Sequence, residues 1–154
     1  MKQTALAVLL SATAISSVLA QAKDFSGKWT VDADKTAAAA PKPESRYPTT
    51  EMQITMDAKT MTVVSKGPAG TRQTVYQLDG SPTAGATVSA TGGRAGAGPE
   101  TTAKWASDGA LVITTKLYNG TGVMTYKREG TNLTLEYKSP GLPTPRVAIY
   151  KKVS

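Results

Sequence analysis

The residues Asp24-Phe25-Ser26-Gly27-Lys28-Trp29 follow directly on an apolar N-terminal segment and begin the folded part of the chain. After them, short alternating segments rich in Thr continue to the C-terminus. A Gly-x-Trp motif at the start of such a chain is typical of small antiparallel barrels. This stretch therefore predicts an all-β class, but neither it nor any later segment indicates a reaction.

The first 22 residues have the pattern of a secretory signal peptide. Lys2 supplies a positive charge, an uncharged apolar region follows, and Ala20-Gln21-Ala22 fits a small-x-small cleavage site, with cleavage after Ala20 as the alternative. Ser and Thr residues interrupt the apolar region, whereas a membrane span needs about 20 apolar residues. We therefore predict a signal peptide over residues 1–22, a mature chain over residues 23–154 without a transmembrane segment, and a periplasmic or extracellular location.

Length and composition exclude several classes of function. The 154 residues suffice for one signal peptide and one domain. Cys and His are absent, which removes disulfides, most metal sites and most nucleophile–base pairs, so we predict no catalytic residue, no cofactor and no metal. The formal net charge is +7, but the basic residues are dispersed and no aromatic-plus-basic motif accompanies them, so we predict no nucleic-acid partner.

Period-two alternation, bounded by turn residues, predicts half-buried antiparallel strands after Gly27. Met52, Ile54 and Met56, for example, share one face of one such segment. The predicted strands are residues 29–32, 51–57, 61–65, 71–78, 101–106, 110–117, 122–127, 132–138 and 147–152.

Short turns connect most of these strands, and several contain Asp-Gly or Asn-Gly, which supply the positive φ angles of tight hairpins. Successive hairpins predict a meander, and closing a meander into an up-and-down barrel removes its free edges. We therefore predict a single antiparallel up-and-down barrel of about eight to ten strands. A two-sheet sandwich is the alternative.

Two connections are longer. In residues 33–50, a run of alanines can form one helical turn, and the prolines from Pro41 onward prevent more. Residues 79–100 are rich in Gly and predict a flexible connection with at most one weak strand over residues 86–90, either a tolerated surface loop or a lid. The Gly-rich part, residues 92–98, is not a phosphate-binding loop because Pro99 and a strand follow it instead of a helix.

Trp29 and Arg146 lie near the predicted junction of the first and last strands. Trp29 fits either core packing at one end of the barrel or the wall of a ligand pocket. Arg146 lies on the last predicted strand, which neighbours the first in a closed barrel. Because a guanidinium group can stack on an indole ring, we predict that Arg146 and Trp29 lie close together.

The segment Phe25-x-Gly27-x-Trp29 resembles the opening of lipocalins and of intracellular fatty-acid-binding proteins, and residues 146–152 resemble the last strand of the latter. The resemblance implies a lipocalin-like, calycin-type barrel. In fatty-acid-binding proteins an Arg-x-Tyr pair binds the ligand carboxylate. Here Tyr150 matches the Tyr, Ala148 stands at the Arg position, and Arg146 lies one pleat earlier on the same face.

The chain is also similar to small secreted bacterial proteins of unknown function. It shares with them Gly-x-Trp, the tripeptide over residues 78–80, and Trp105 followed by an Asp-Gly turn and an apolar strand. The fatty-acid-binding proteins carry a helical lid, for which residues 33–50 are too short and too rich in Pro.

These observations predict a non-enzymatic protein that binds a small hydrophobic or amphipathic ligand inside the barrel. The candidate ligand-binding residues are Trp29, Tyr126, Tyr137, Arg146 and Tyr150. The alternative is a protein-interaction or enzyme-inhibitor module with a filled barrel. An interior cavity of about 300 Å³ or more would favour ligand binding, and a filled interior would favour a protein partner. The oligomeric state stays open.

Overall fold

The computed structural model describes residues 23–89 and 96–153, with the backbone alone for residues 84–89 and 96–97. The predicted signal peptide, residues 1–22, lies outside this part. The described residues contain ten strands, one α-helix and one 3₁₀ turn. In chain order they are β1 (Gly27–Val31), α1 (Ala33–Ala39), the 3₁₀ turn Pro43–Ser45, β2 (Glu51–Met56), β3 (Thr60–Gly67), β4 (Gly70–Gln77), β5 (Thr83–Ser89), β6 (Gly96–Trp105), β7 (Leu111–Leu117), β8 (Gly120–Glu129), β9 (Asn132–Lys138) and β10 (Arg146–Val153).

The strands form one closed antiparallel barrel in the order β1-β10-β9-β8-β7-β6-β5-β4-β3-β2. From β2 to β10 each strand pairs with the next in sequence, which confirms the predicted meander. β1 closes the barrel by pairing with both β2 and β10, and Trp29 lies opposite Met52 on one side and Lys152 on the other. Among the described residues, the ladder between β4 and β5 pairs Arg72 with Ser89 and Gln73 with Val88.

The alternation seen in the sequence corresponds to the two faces of the barrel wall. Seven residues were predicted to face the interior. Five of them, Met52, Ile54, Tyr126, Leu135 and Tyr150, are buried, and Met124 and Tyr137 are half-buried. Their neighbours along each strand, mostly Thr, Lys, Glu and Gln, face solvent to a greater extent. Because successive side chains on a strand point to opposite faces, this period-two pattern confirms both the strands and their inner face.

The segment over residues 79–100 differs from the prediction of a long flexible connection. It contains all of β5 and the first half of β6, and the predicted strand at residues 101–106 is the second half of β6. The Gly and Ala residues here have a weak strand propensity, but pairing with the neighbouring strands overrides it. Residues 90–95, which include Arg94, lie outside the described residues.

Helix α1 is longer than the single turn predicted from the alanine run. It begins before the alanines, because Asp32 acts as its N-cap and accepts a hydrogen bond from the Lys35 backbone nitrogen at 3.1 Å. It ends at Ala39, two residues before Pro41. No helix in the described ranges is long and apolar enough to cross a membrane.

Helix α1 and the residues after it protect the edge of β10 beyond the end of β1. The Thr36 hydroxyl accepts a hydrogen bond from the Ile149 backbone nitrogen at 2.9 Å and donates one to the Ile149 carbonyl at 3.2 Å. Further along, the Tyr47 nitrogen donates to the Val147 carbonyl at 2.9 Å. We call residues 46–50 the strap, because they link the edge of β10 to β3, where the Thr50 nitrogen bonds the Lys66 carbonyl.

Thr36→Val is expected to destabilise the protein by about 1–3 kcal/mol, because it leaves the half-buried Ile149 nitrogen without its acceptor, the hydroxyl of the buried Thr36. Valine has nearly the same shape as threonine, so packing changes little. Urea unfolding measures the effect, and Thr121→Val, on an exposed strand position, serves as the matched control. Equal stability of the two variants would show that the hydroxyl does not hold helix α1 to the barrel.

The stretch around Phe25 closes one end of the barrel, which we call the closed end. Phe25 is fully buried, and its ring centroid lies 5.6 Å from that of Trp105 and 6.2 Å from that of Tyr126. Its carbonyl accepts a hydrogen bond from the Trp29 indole nitrogen at 2.8 Å. The Arg128 guanidinium group donates a hydrogen bond to the Asp24 carbonyl at 2.7 Å, which holds the segment across the closed end.

The Gly-x-Trp spacing has a physical cause. Gly27 has a φ of +137°, and a Cβ at this position would come within 2.6 Å of the Lys152 side chain. A residue without a side chain therefore lets Lys152 extend along β1, where its ammonium group lies 5.8 Å from the centroid of the Trp29 ring.

Candidate functional site

The barrel encloses a cavity of about 110 Å³ between its middle and the strap. Its wall combines apolar and aromatic side chains with a few polar ones. The lining residues are Tyr47, Thr49, Met52, Val63, Ser65, Arg72, Thr74, Tyr76, Met124, Tyr126 and Leu135. The volume is below the roughly 300–1,000 Å³ of pockets for drug-sized ligands. The barrel is thus mostly filled, but it keeps room for a small group.

Strand register brings these residues together from distant parts of the sequence. Met52, on β2, lies opposite Ser65 on β3, and Ser65 lies opposite Arg72 on β4. On the other side of the barrel, Tyr126 on β8 lies opposite Leu135 on β9. All five occupy inward positions of their strands, so the two walls face each other across the cavity.

Tyr47 enters the barrel from the strap and not from a strand. Its ring centroid lies 6.1 Å from that of Tyr137 in an edge-to-face arrangement. Tyr137 in turn lies opposite Arg146 on β10. A Cβ on Gly122 would lie 3.2 Å from the Tyr137 hydroxyl, so the absence of a side chain at Gly122 leaves room for the phenol.

Two guanidinium groups lie near the Tyr47 phenol. Burial raises the pKa of Tyr47, and Tyr137 raises it further, whereas the positive charges of Arg72 and Arg146 lower it. The Nε atom of Arg146 is buried and has no hydrogen-bond partner among the described residues. An unpaired buried donor of this kind is costly to a folded protein and calls for an explanation, such as an ion or a ligand group that bonds it.

The other interior tyrosines are neutral at physiological pH. Burial raises the pKa of Tyr76 to about 12 and raises the pKa values of Tyr126 and Tyr150 well above the usual range. Tyr47 adds to each of these three shifts. Neutral phenols and guanidinium groups offer hydrogen-bond donors but no base.

The predicted site residues fall into two groups. Tyr126 lines the cavity, and Tyr137 and Arg146 lie next to it around Tyr47. Tyr150 is fully buried, and its hydroxyl donates to the Thr49 carbonyl at 2.9 Å, so it supports the strap. Trp29 lies towards the closed end, in the core, outside the lining of this cavity.

The predicted contact between Arg146 and Trp29 is wrong. Arg146 begins β10 opposite Tyr137, whereas Trp29 lies opposite Lys152, about 20 Å further along the same strand. The cation over the Trp29 ring is Lys152. The prediction placed both residues correctly on neighbouring strands, but it ignored the length of β10 and the register of its pairing with β1.

Sequence reasoning missed Tyr47 and Arg72. The period-two alternation could have identified Arg72 as an inward residue, because Arg72 shares the inward face of β4 with Tyr76. Tyr47 lies in an irregular, Pro-rich segment without periodicity, so no sequence signal placed it inside the barrel.

Two further depressions lie outside the interior. A groove of about 550 Å³ runs over the outer face of β1, β2 and β3, where Lys28, Gln53 and Val64 stand on neighbouring strands. A smaller depression of about 240 Å³ lies at the closed end beside Trp105. The described part of the chain contains no group of three His, Cys, Asp or Glu side chains placed to hold a metal ion.

Solved structures with the same architecture include a point mutant of the fluorescent protein UnaG and the REP1-NXSQ fatty acid transporter. The first is 15% identical to this chain and the second 17%, and each alignment covers 84% of this chain and 96% of the other with a TM-score of 0.57. This chain has a calycin-type fold. The likeness confirms the predicted lipocalin-like barrel. At these identities it shows the fold alone. No protein-family model matches the sequence, and no curated protein matches it significantly.

Proposed function

We propose that this protein binds a small amphipathic molecule with an anionic group inside the barrel and performs no chemistry on it. The observation that carries the proposal is the buried Arg146 Nε atom, which lacks a partner in the described residues. Arg146 lies opposite Tyr137, whose ring packs against Tyr47, and Tyr47 lines the strap side of the interior cavity. A second cation, Arg72, lines the same cavity.

The chemistry of the wall specifies how such a ligand would lie. Guanidinium groups match the geometry of carboxylates and other oxyanions and bind them through two parallel hydrogen bonds. The Tyr47 phenol adds a neutral donor on the same side. Met52, Val63 and Leu135 offer only apolar surface on the remaining wall. The anionic group therefore faces Arg72 and Arg146, and the hydrocarbon part faces the barrel interior.

The fold neighbours support the proposal only in outline. One of them is described as a fatty acid transporter. This chain differs from the fatty-acid-binding pattern because Ala148 occupies the expected Arg position. The cations are instead Arg72 on β4 and Arg146 at the start of β10. The small cavity favours a ligand with a short hydrocarbon part.

We also propose that the protein acts in the periplasm or outside the cell. The support is the signal-peptide pattern in residues 1–22. N-terminal sequencing of protein purified from its own compartment would give Gln21 or Lys23 as the first residue if cleavage occurs at one of the two predicted sites.

Isothermal titration with n-alkyl carboxylates and n-alkanols of equal length tests the binding proposal. We expect the carboxylates to bind more tightly than the alcohols. We expect Arg146→Met to weaken carboxylate binding by about 10- to 100-fold, as the loss of a charge-assisted hydrogen bond would. Alcohol binding should change little in this variant.

Lys28→Met is the matched control, because it removes one positive charge from an exposed position on the outside of the barrel. It should leave both affinities unchanged. Equal losses of carboxylate affinity in Lys28→Met and Arg146→Met would show that the net charge of the protein, and not a contact with Arg146, causes the effect. Absence of carboxylate binding to the wild-type protein would refute the proposal.

A protein-interaction module is the second candidate. Two observations favour it. The interior cavity of about 110 Å³ is smaller than the roughly 300 Å³ expected for ligand binding, and the outer groove over β1, β2 and β3 has a larger volume than that cavity. Tyr118, fully exposed at the turn between β7 and β8, adds an aromatic side chain available to a partner. Native mass spectrometry of protein purified from its own compartment separates the two functions, since a bound small molecule and a bound protein differ in mass.

A further inference from the structure

The interior cavity has a cationic end at the strap, where Tyr47 and Thr49 line it. Arg146 belongs to this end, because it lies opposite Tyr137, whose ring packs against Tyr47. The side chains that follow along each strand, towards the closed end, decide how deep the cavity extends below the cations.

Strand pairing gives the depth of one wall. Arg146, Tyr137 and Met124 form one row of paired residues across β10, β9 and β8. From Met124 onward, β8 runs towards the closed end, because Arg128 further along it bonds the segment that covers that end. Tyr126 follows Met124 by two residues on the same face, which places it about 7 Å deeper in the barrel. The hydrocarbon part of a ligand held at Arg146 therefore extends towards Tyr126.

The Tyr126 ring separates the cavity from the packed closed end. Tyr126 lines the cavity, and its ring centroid lies 6.2 Å from that of Phe25. Phe25 is fully buried and packs in turn against Trp105, with 5.6 Å between the ring centroids. The strand neighbours of Tyr126 on β7 and β9, Leu111 and Leu135, are buried as well. The Tyr126 ring therefore forms the floor of the cavity at this wall.

From this geometry we infer that Tyr126 is a specificity-determining residue that sets the maximum length of the hydrocarbon part of the ligand. The inference rests on the proposed function, because it requires the anionic group to be held at the cationic end. A hydrocarbon part that extends from that end fills the cavity of about 110 Å³ and meets the ring. A smaller side chain in place of the ring extends the cavity to Phe25, whereas removal of the hydroxyl alone leaves the floor in place.

Isothermal titration with saturated n-alkyl carboxylates of increasing chain length tests this role. In the wild-type protein, affinity should rise by about fourfold per added carbon, as burial of one methylene predicts, and then stop rising at a cutoff length. In Tyr126→Ala the rise should continue over further carbons. Tyr126→Phe should keep the wild-type cutoff. A cutoff in Tyr126→Phe as long as that in Tyr126→Ala would assign the limit to the hydroxyl and overturn the role of the ring.

Leu133→Ala is the matched control, because it removes a fully buried side chain of the neighbouring strand β9 that does not line the cavity. It should keep the wild-type cutoff, and an equal extension in this variant would show that looser packing sets the limit. Tyr126→Leu gives a second test if the alanine variant does not fold, with a cutoff between those of wild type and Tyr126→Ala. An unchanged cutoff in folded Tyr126→Ala or Tyr126→Leu overturns the role of Tyr126 while the proposed function stands. Absence of carboxylate binding in every variant and in the wild type overturns both.

Discussion

Trp29→Ala is expected to lower the free energy of unfolding by about 3–5 kcal/mol, the usual cost of deleting a buried large aromatic side chain. Trp29 is 1% exposed and packs in the core near the closed end. The substitution removes this packing and the hydrogen bond from the indole nitrogen to the Phe25 carbonyl. Small domains have a free energy of unfolding of about 5–15 kcal/mol. At the low end of this range, the loss would leave a measurable fraction of the molecules unfolded.

Urea unfolding followed by far-UV circular dichroism measures the effect. Trp29→Phe separates the two contributions, since it keeps most of the packing and leaves the Phe25 carbonyl without its donor. We expect it to cost about 1–3 kcal/mol. Lys152→Met, which removes only the cation over the ring, should cost less than about 1 kcal/mol. A Trp29→Ala variant as stable as Lys152→Met would show that the closed end does not depend on the indole.

Strong destabilisation above about pH 10 is the second large effect. An unfolded tyrosine ionises near pH 10. Burial raises the pKa of Tyr76 to about 12 in the folded protein, and raises the pKa values of Tyr47, Tyr126 and Tyr150 as well. Below pH 10 these tyrosines are neutral in both states. Above it the unfolded state loses protons that the folded state keeps, so stability falls with rising pH.

For each tyrosine that is ionised in the unfolded state but neutral in the folded state, the free energy of unfolding falls by about 1.4 kcal/mol per pH unit. Several of them together give a loss of several kcal/mol between pH 10 and pH 11. Urea midpoints at pH 8, 9, 10 and 11, with tyrosinate absorbance recorded in parallel, measure the slope. Tyr76→Phe should show a shallower decline than the wild type. Equal midpoints at pH 8 and pH 11 would mean that these phenols are accessible to solvent.

The alternating segments allowed most of the barrel to be predicted, because inward residues are apolar and outward residues are polar throughout β2 and over residues 133–138 of β9. The predicted bounds of β9 agree with the structure at both ends. The prediction failed where local composition misleads. Gly and Ala residues over residues 83–89 and 96–100 form paired strands, since their neighbours in the barrel supply the hydrogen bonds that propensity does not indicate.

The candidate site could be predicted only in part. Tyr126, Tyr137 and Arg146 lie on regular strands, so their inward direction follows from alternation. Tyr47 comes from the strap, and its position inside the barrel depends on where helix α1 ends and on the bond to the Val147 carbonyl. No periodic pattern in the sequence contains that information.

The sequence alone therefore determined that this chain forms an antiparallel meander, and it determined which face of each strand lies inside, because both follow from the period of two and from the turn residues. The closing register of β1 and β10 was decided only in the folded barrel. A shift along a strand by an even number of residues keeps every side chain on its face, so alternation cannot distinguish Lys152 from Arg146 as the neighbour of Trp29. Strand lengths, the path of the strap and the packing of Phe25 at the closed end fix that choice, and with it the place where the buried guanidinium group lies.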